Sequence, residues 1–543
     1  MELFRLLVRT AMIDSLMEQS TRIAEQYLGS VLFVDDEVTY ASTSKKTHVL
    51  HANKMMRAFG EKNILSSCFK YTDISEKEDV ELLAKKADVC VLDWKLVIND
   101  PSNEPSSEDD EEDDVEGADG RGRYAIDIIK SFISSRPTTP KLICIYSAEV
   151  GDDISNELAR LSGGKYSDHV WISDAGDIRI SVYFKPVLAQ MHVGDDVKQR
   201  IVEYGELPPK LIYEFAALHC GLLPNAMMKS IAVVRESTNL LLKHFSSNLD
   251  PAFVSHRAMC PNPDDAGELL KTIISDAFDA ILSYENISDV VDYEAIENWI
   301  KGNVWRNKEI TLNKKKIKIN RKKRLEWQKD GYSKFLIKSY PAQIDVEVLK
   351  KKISNYDHSK LKKDAVSCFA KVDYRRHEEF AILTHQKSTF KGTLLLPMLT
   401  LGTVVKDLAN NLYLLCIQQR CESVRLEEEE NRKFLFLPIE KTQKNRCNCL
   451  HRNGSGEMTY LLVKNSPSHK VISIQFPATN GKNFVQAEID DTDSNTLTFQ
   501  CKQGSKYKWI FDLKESHAQK IVNDYAANLS RVGVDESEWL RRT

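Results

Sequence analysis

Between residues 31 and 190, short apolar runs alternate with stretches whose apolar residues recur every three or four positions. The runs are VLFV (31–34), ILSSCF (64–69), VCVL (89–92), LICIYS (142–147) and ISVYF (180–184). Between them KKTHVLHANKMMRAF, SEKEDVELLAKKA and RYAIDIIKSFI carry the helical period. Five strand-like runs separated by helices predict a parallel sheet with right-handed crossovers, an α/β doubly wound domain over 30–195. Apolar residues at nearly every position of VCVL fit a strand covered on both faces.

The pattern changes on either side of this block. Residues 1–29 read as an N-terminal amphipathic helix whose polar face carries acids as well as bases. Residues 196–300 are a helical region, with PKLIYEFAALHCGLL, ELLKTIISDAFDAILSY and YEAIENWI repeating apolar residues at three and four. Residues 301–330 are basic and read as a linker. Residues 331–543 read as a C-terminal α+β domain. Its strand-rich part, 433–512, includes FLFLPI, MTYLLVK, KVISIQF and KWIFDL, and the terminal helix is SHAQKIVNDYAANLSRV.

A chain of 543 residues exceeds one hydrophobic core. With 42% hydrophobic and 28% charged residues it has the composition of a soluble globular protein. No apolar run approaches the ~20 residues of a bilayer crossing, so no membrane association is expected. Several of the eleven cysteines, Cys90 and Cys144 among them, sit inside apolar runs, the usage of a reducing cytoplasm. The net charge of −4 is mild but unevenly spread. EDDEEDDVE (108–116) lies in an acidic insertion over 99–119, and KKKIKINRKKR (314–324) holds eight basic residues in eleven.

The chemistry gathers at the carboxyl ends of the expected strands, where open α/β sheets bind ligands. VLFVDDE ends on Asp35, Asp36 and Glu37; VCVL runs into Asp93; IYSAE presents Ser147; VYFKP ends on Lys185. Carboxylates crowded at one sheet edge repel one another unless a cation binds, and few carboxylates completed by water suit Mg²⁺. A lysine and a hydroxyl beside that metal suit a phosphoryl group, and an aspartate there can act as a carboxylate nucleophile. Each motif alone has a plainer use: Asp35 and Asp36 could cap a helix, and Lys185 could be a solvated strand end.

Taken in order, VLFVDDE, VLDWKL, IYSAE and VYFKP resemble the signature of response-regulator receiver domains over about residues 30–195. The resemblance implies a flavodoxin-like fold with strand order 2-1-3-4-5 and phosphorylation by a histidine kinase. By position it makes Asp35 and Asp36 the acidic pair that holds Mg²⁺. Asp93 becomes the phosphoacceptor and third carboxylate, and the Lys95 carbonyl the remaining protein ligand. Ser147 becomes the switch hydroxyl and Lys185 the phosphate-binding lysine, with Pro186 behind it. Two departures stand out. The motifs are spaced more widely than in compact receivers, and Val182 occupies the place of the switch aromatic while Tyr183 falls on the other strand face.

In architecture the chain is similar to the phosphate-buffering receiver proteins of bacterial defensive two-component (Detocs) phage-defence systems. That likeness implies a phosphate sink without an enzymatic or DNA-binding output, alongside a second response regulator with an effector domain. The alternative is a nucleic-acid-binding output through Lys314, Lys315, Lys316, Arg321, Lys322, Lys323 and Arg324, with Trp305 and Trp327 near enough to stack on bases. No helix-turn-helix spacing accompanies it, and a solvated basic linker is the expectation. Cys416, Cys421, Cys447, Cys449 and His451 could be gathered around zinc, but their spacing is not a paired CxxC arrangement, and thiols are expected. LSGGK (161–165) has no accompanying phosphate loop and is expected in a loop.

Overall fold

The computed structural model describes residues 2–529 except 42–48, 100–121, 135–140, 150–151, 261–262, 313–314, 341–346, 348–357, 370–374, 389–395, 428–430, 445, 455, 465–470 and 491–492. The chain forms two compact units, 1–369 and 370–543.

In the first unit the five expected strands are present: β1 (Ser30–Asp35), β2 (Leu65–Lys70), β3 (Val89–Leu92), β4 (Lys141–Ser147) and, after two intervening strands, β7 (Ile178–Phe184). They run parallel in the order β2-β1-β3-β4-β7. This is the flavodoxin-like arrangement. Alternation along each strand sends side chains to two cores. Leu32, Val34, Cys90, Leu92, Ile143 and Ile145 face one, with α3 (Lys77–Lys86), α4 (Gly122–Ser134) and α5 (Asp152–Arg160) on that side. Val31, Phe33, Val89, Val91, Leu142 and Cys144 face the other, covered by α1 (Glu2–Tyr27), α2 (Ala52–Gly60) and α6 (Leu207–Leu218).

The sheet is wider than the expected five strands. β5 (Gly164–Ser167) and β6 (Val170–Ser173) form an antiparallel hairpin whose second strand pairs with β7, giving a seven-stranded sheet. This hairpin accounts for the long interval between Ser147 and Lys185. LSGGK leads into it: Gly163 has φ +80°, and a Cβ on Gly164 would meet the buried Trp171 ring at 2.2 Å. The segment therefore belongs to the loop and first strand of the hairpin.

The N-terminal helix α1 is part of this fold. Ile23 and Ala24 are buried, Tyr27 stacks on Phe215 of α6 with centroids 5.3 Å apart, and Arg235 lies over the Tyr27 ring. Arg235 belongs to α7 (Leu222–Glu236) and pairs with Asp88, whose carboxylate also accepts from the Gly29 and Ser30 amides at the start of β1. Helices α8 (Thr238–His244), α9 (Asp250–Met259), α10 (Ala266–Tyr284) and α11 (Tyr293–Gly302) continue the helical region.

Residues 301–330 are not a solvated linker. Lys308–Leu312 (β8) and Lys315–Ile319 (β9) pair antiparallel, and Arg321–Ser339 (α12) follows. Strand alternation turns Ile310, Leu312, Ile317 and Ile319 onto Trp327, Phe335 and Cys368 in a small closed core. Trp327 stacks on Phe335 at 4.9 Å and is therefore a core residue rather than an open stacking platform. Arg324, expected among the exposed bases, is 1% exposed. Its guanidinium donates to the carbonyls of Cys368 (2.7 Å), Arg306 (2.8 Å) and Ile319 (3.3 Å) and lies over the Trp305 ring.

The second unit is α+β. Nine strands form one antiparallel sheet along the path β13-β14-β12-β11-β10-β18-β17-β16, with β15 also on β12. The strands are β10 (Thr403–Asp407), β11 (Tyr413–Cys416), β12 (Asn431–Lys441), β13 (Cys449–Arg452), β14 (Met458–Val463), β15 (Ile472–Pro477), β16 (Glu488–Asp490), β17 (Asp493–Gln500) and β18 (Lys506–Asp512). The helix Glu515–Leu529 packs Ala518, Ile521 and Tyr525 into one of its two cores.

Replacing Arg324 removes a charged donor from the carbonyls of Cys368, Ile319 and Arg306, the first two of these bonds being buried. Arg324→Ala is expected to destabilise the first unit by about 2–4 kcal/mol in urea denaturation, with the unfolding slope unchanged. A loss under about 0.5 kcal/mol would mean the side chain is not buried as described.

Candidate functional site

The four sequence motifs meet at one edge of the first sheet because its strands end in register. Val34 pairs with Leu92, Leu92 with Ile145, and Ser147 with Phe184. The ladder continues one step past the strands. The Asp93 amide donates to the Val34 carbonyl at 2.9 Å and the Lys185 amide to the Ser147 carbonyl at 2.8 Å. Each functional side chain thus starts from a backbone held on both sides.

Lys185 is the hub. Its ammonium donates to Asp93 Oδ2 at 2.6 Å and to Asp35 Oδ2 at 3.0 Å, and the residue is 3% exposed. The other oxygen of Asp35 accepts from the Glu37 amide at 2.8 Å. Oδ1 of Asp93 is buried and has no hydrogen-bond partner among the described residues. Carboxylate oxygens of Asp35, Asp36 and Asp93 lie within 4.8 Å of one another, and among the described residues no other group of metal-capable side chains is gathered in this way. A cavity of about 250 Å³ opens on them, lined also by Glu37, Lys95, Val97, Ser147, Ala148 and Glu149.

Ser147 is fully buried at the end of β4, and its Oγ accepts from the Glu149 amide at 3.1 Å. The Glu149 carboxylate forms an ion pair with the Lys95 ammonium across the cavity. Sequence reading did not assign Glu149 a role, although its position two residues beyond the strand end was the available signal. Lys95 was singled out for its carbonyl alone. Trp94, next to Asp93, is 6% exposed and packs so closely on α4 that a Cβ on Gly122 would meet the indole at 2.7 Å.

Burial dominates the electrostatics. It pushes the Asp35 carboxyl up to about 7 against the pull of the Lys185 charge, with Asp93 adding to the rise. Burial also raises Asp36. For Lys185, burial opposes the charge, but the Asp93 and Asp35 carboxylates outweigh it and raise its pKa. One ammonium set against three close carboxylates leaves an excess of negative charge, and one buried oxygen is unsatisfied. That donor set fits a small hard divalent cation with few protein oxygens, as Mg²⁺ requires.

Val182 and Tyr183 face opposite sides of the sheet, as expected from strand alternation. Val182 is fully buried. Tyr183 reaches the other way, donating to Glu214 Oε1 at 2.8 Å beneath the Arg200 guanidinium. Glu214, 3% exposed on α6, also pairs with Arg179 and Arg200. Sequence reading missed this cluster; its only trace was one acid in the apolar run LIYEFAAL.

The remaining candidates are dispersed. Cys416 is buried in β11 and Cys449 in β13, Cys421 is exposed, and His451 stacks on Phe511. These residues are not among the gathered metal-capable groups, so a zinc reading finds no support in the described residues. Of the basic series, Lys315, Lys316, Arg321 and Lys322 are exposed, Lys323 is bound to Glu326 and Ser339, and Arg324 is buried. Lys314 and most of the acidic insertion (100–121) lie outside the described residues. No described helix is long and apolar enough to cross a membrane.

Residues 27–189 match the family model described as the response receiver domain. No curated protein and no solved structure matches the chain significantly. This part of the chain is a response-regulator receiver domain, which carries with it a place in two-component signalling and a histidine kinase as the general partner.

The raised Asp35 carboxyl makes the metal-free site sensitive to pH. A carboxyl raised from 3.8 to about 7 contributes stability that is fully present below its unfolded value and is lost as pH rises through about 7. Thermal melts without Mg²⁺ are therefore expected to show a fall between about pH 5 and pH 8 that is absent in Asp35→Asn. Added Mg²⁺ should raise the melting temperature more at about pH 8 than at pH 5. Equal Mg²⁺ shifts at both pH values would contradict the assignment.

Proposed function

We propose that Asp93 is the phosphoacceptor of a phosphorelay and that the cation held by Asp35, Asp36 and Asp93 is Mg²⁺. The observation that carries this reading is the division of labour within one carboxylate. Oδ2 of Asp93 is held by Lys185 at 2.6 Å, while Oδ1 has no hydrogen-bond partner among the described residues, and the residue lines a cavity of about 250 Å³. In transfer from a phosphohistidine, Oδ1 forms the new P–O bond as the P–N bond breaks, and the electron pair returns to the imidazole nitrogen. The bound Mg²⁺ would supply charge neutralisation at the phosphoryl oxygens. In this reading Lys185 moves from the carboxylates to a phosphoryl oxygen, and the Ser147 hydroxyl donates to another.

Within that role the protein acts as a cytoplasmic phosphate sink or binding partner, promoting only its own phosphorylation and dephosphorylation. It takes phosphoryl groups from a histidine kinase that also serves a second response regulator with an effector domain, in bacterial antiviral defence. Two features support this. Val182 provides no aromatic relay on the α4 face, and Tyr183 is engaged with Glu214 instead of serving as a movable reporter of phosphorylation.

A second reading rests on the ribbon β8–β9. With Ile317 and Ile319 turned inward, Lys316 and Lys318 project from its other face, near Arg321 and Lys322 at the start of α12. Such a ribbon can track a phosphate backbone.

Incubation with the cognate kinase, ATP and Mg²⁺ is expected to label the protein on Asp93. Asp93→Asn should abolish the label, and Lys185→Met should slow its appearance at least ~100-fold. Label retained in Asp93→Asn would sink the proposal. For the second reading, neutralising Lys315, Lys316 and Lys318 together should weaken any DNA or RNA binding and lower its salt slope by roughly two to three. Absence of salt-dependent binding in the native protein would remove that reading.

A further inference from the structure

Beyond the receiver, the first unit carries a helical arm that is short of a core. α8 and α9 bury no residue, and α10 buries only Ala266. Yet α10 reads AGELLKTIISDAFDAILSY, and the shorter helices are hardly more polar. Leu240, Leu242, Leu249, Val254 and Met259 are between 54% and 75% exposed, and Tyr284 is 87% exposed. Amphipathic helices hide their apolar stripe, and monomers seldom leave more than ~300–600 Å² of contiguous apolar surface open. Here six apolar side chains on one arm are each more than half exposed.

The shape of the arm points to its occupant. An open groove of about 1050 Å³ runs between α8–α9 and α10, walled by Leu241, Phe245, Phe253, Ile273, Ala277 and Ile281. α10 also carries a second apolar stripe outside the groove, Ile274 and Phe278, which are 38% and 39% exposed. One helix is thus both a wall and a free ridge, the combination that a self-complementary two-fold contact needs. Charge agrees with this. Lys243 on α8, and Asp276 and Asp279 on α10, enter no ion pair among the described residues. The arm therefore offers both signs to a copy of itself.

We infer that helices α8, α9 and α10 form a homodimerisation surface, on which α10 of a second copy of this chain packs into the groove between α8–α9 and α10. Lys243 of each copy then meets Asp276 or Asp279 of the other. The contact completes the core that each arm lacks alone. It does not depend on whether Asp93 accepts phosphate.

Sedimentation equilibrium on the full chain tests this directly. The native protein is expected to sediment as two 62.0-kDa chains at about 50 μM. Ile273→Glu with Phe278→Glu should give a single chain with native far-UV circular dichroism. Should that variant misfold, Lys243→Glu decides: it should weaken the dimer at least ~10-fold, and adding Asp276→Lys and Asp279→Lys should restore it. A single-chain mass for the native protein, or a dimer unchanged in Lys243→Glu and in the correctly folded double variant, overturns the proposal. So does a monomer that binds a helical segment of another protein through this groove.

Discussion

The site depends on one ammonium buried between two carboxylates. Lys185 closes the fifth parallel strand, Asp35 the first and Asp93 the third, so this contact ties three strand ends across the width of the sheet. A buried ion cluster of this kind tolerates little looseness, because each charge left without a partner costs several kcal/mol. The in-register strand ends and the backbone bonds that extend the ladder past them supply the rigidity. The same geometry leaves one Asp93 oxygen without a hydrogen-bond partner among the described residues.

The receiver is embedded in its surroundings. α1 and α6 cover one face of the sheet, and Asp88 holds the start of β1 while Arg235 of α7 holds Asp88. On that same face, Glu214 gathers Tyr183, Arg179 and Arg200 into a buried charged network. Glu214 is the shared partner, so the network ties α6 to Tyr183 and Arg179 of β7. β7 is thus part of a packed interface. On its outer side β7 is covered by the hairpin β5–β6, which takes away its edge as well.

Much of this was legible in the chain. The alternation of apolar runs and helical stretches specified the five parallel strands, because period and run length are local properties. The acids, the serine and the lysine at the strand ends were readable for the same reason: once a parallel sheet is accepted, its carboxyl ends lie on one edge. The hairpin was harder to see. KYS and VWIS are too short to stand apart from a loop, and only their pairing with each other and of VWIS with β7 makes them strands. Lys95 was named and Glu149 was not, and their ion pair joins residues from different loops that no spacing relates.

By itself the sequence determined the class of fold and the identity of the strand-end groups, since both follow from local periodicity and chain order. Only the tertiary structure decided which charges are buried. Arg324 lies in a run of eight bases and looks like its neighbours, yet a small core closes over it and its guanidinium serves three carbonyls. Glu214 looks like one acid on a helix, yet two arginines and a tyrosine converge on it. In α10 the outcome is reversed: an apolar helix that reads as core remains exposed. Burial is a property of what packs against a residue, and that partner is set by contacts far apart in sequence.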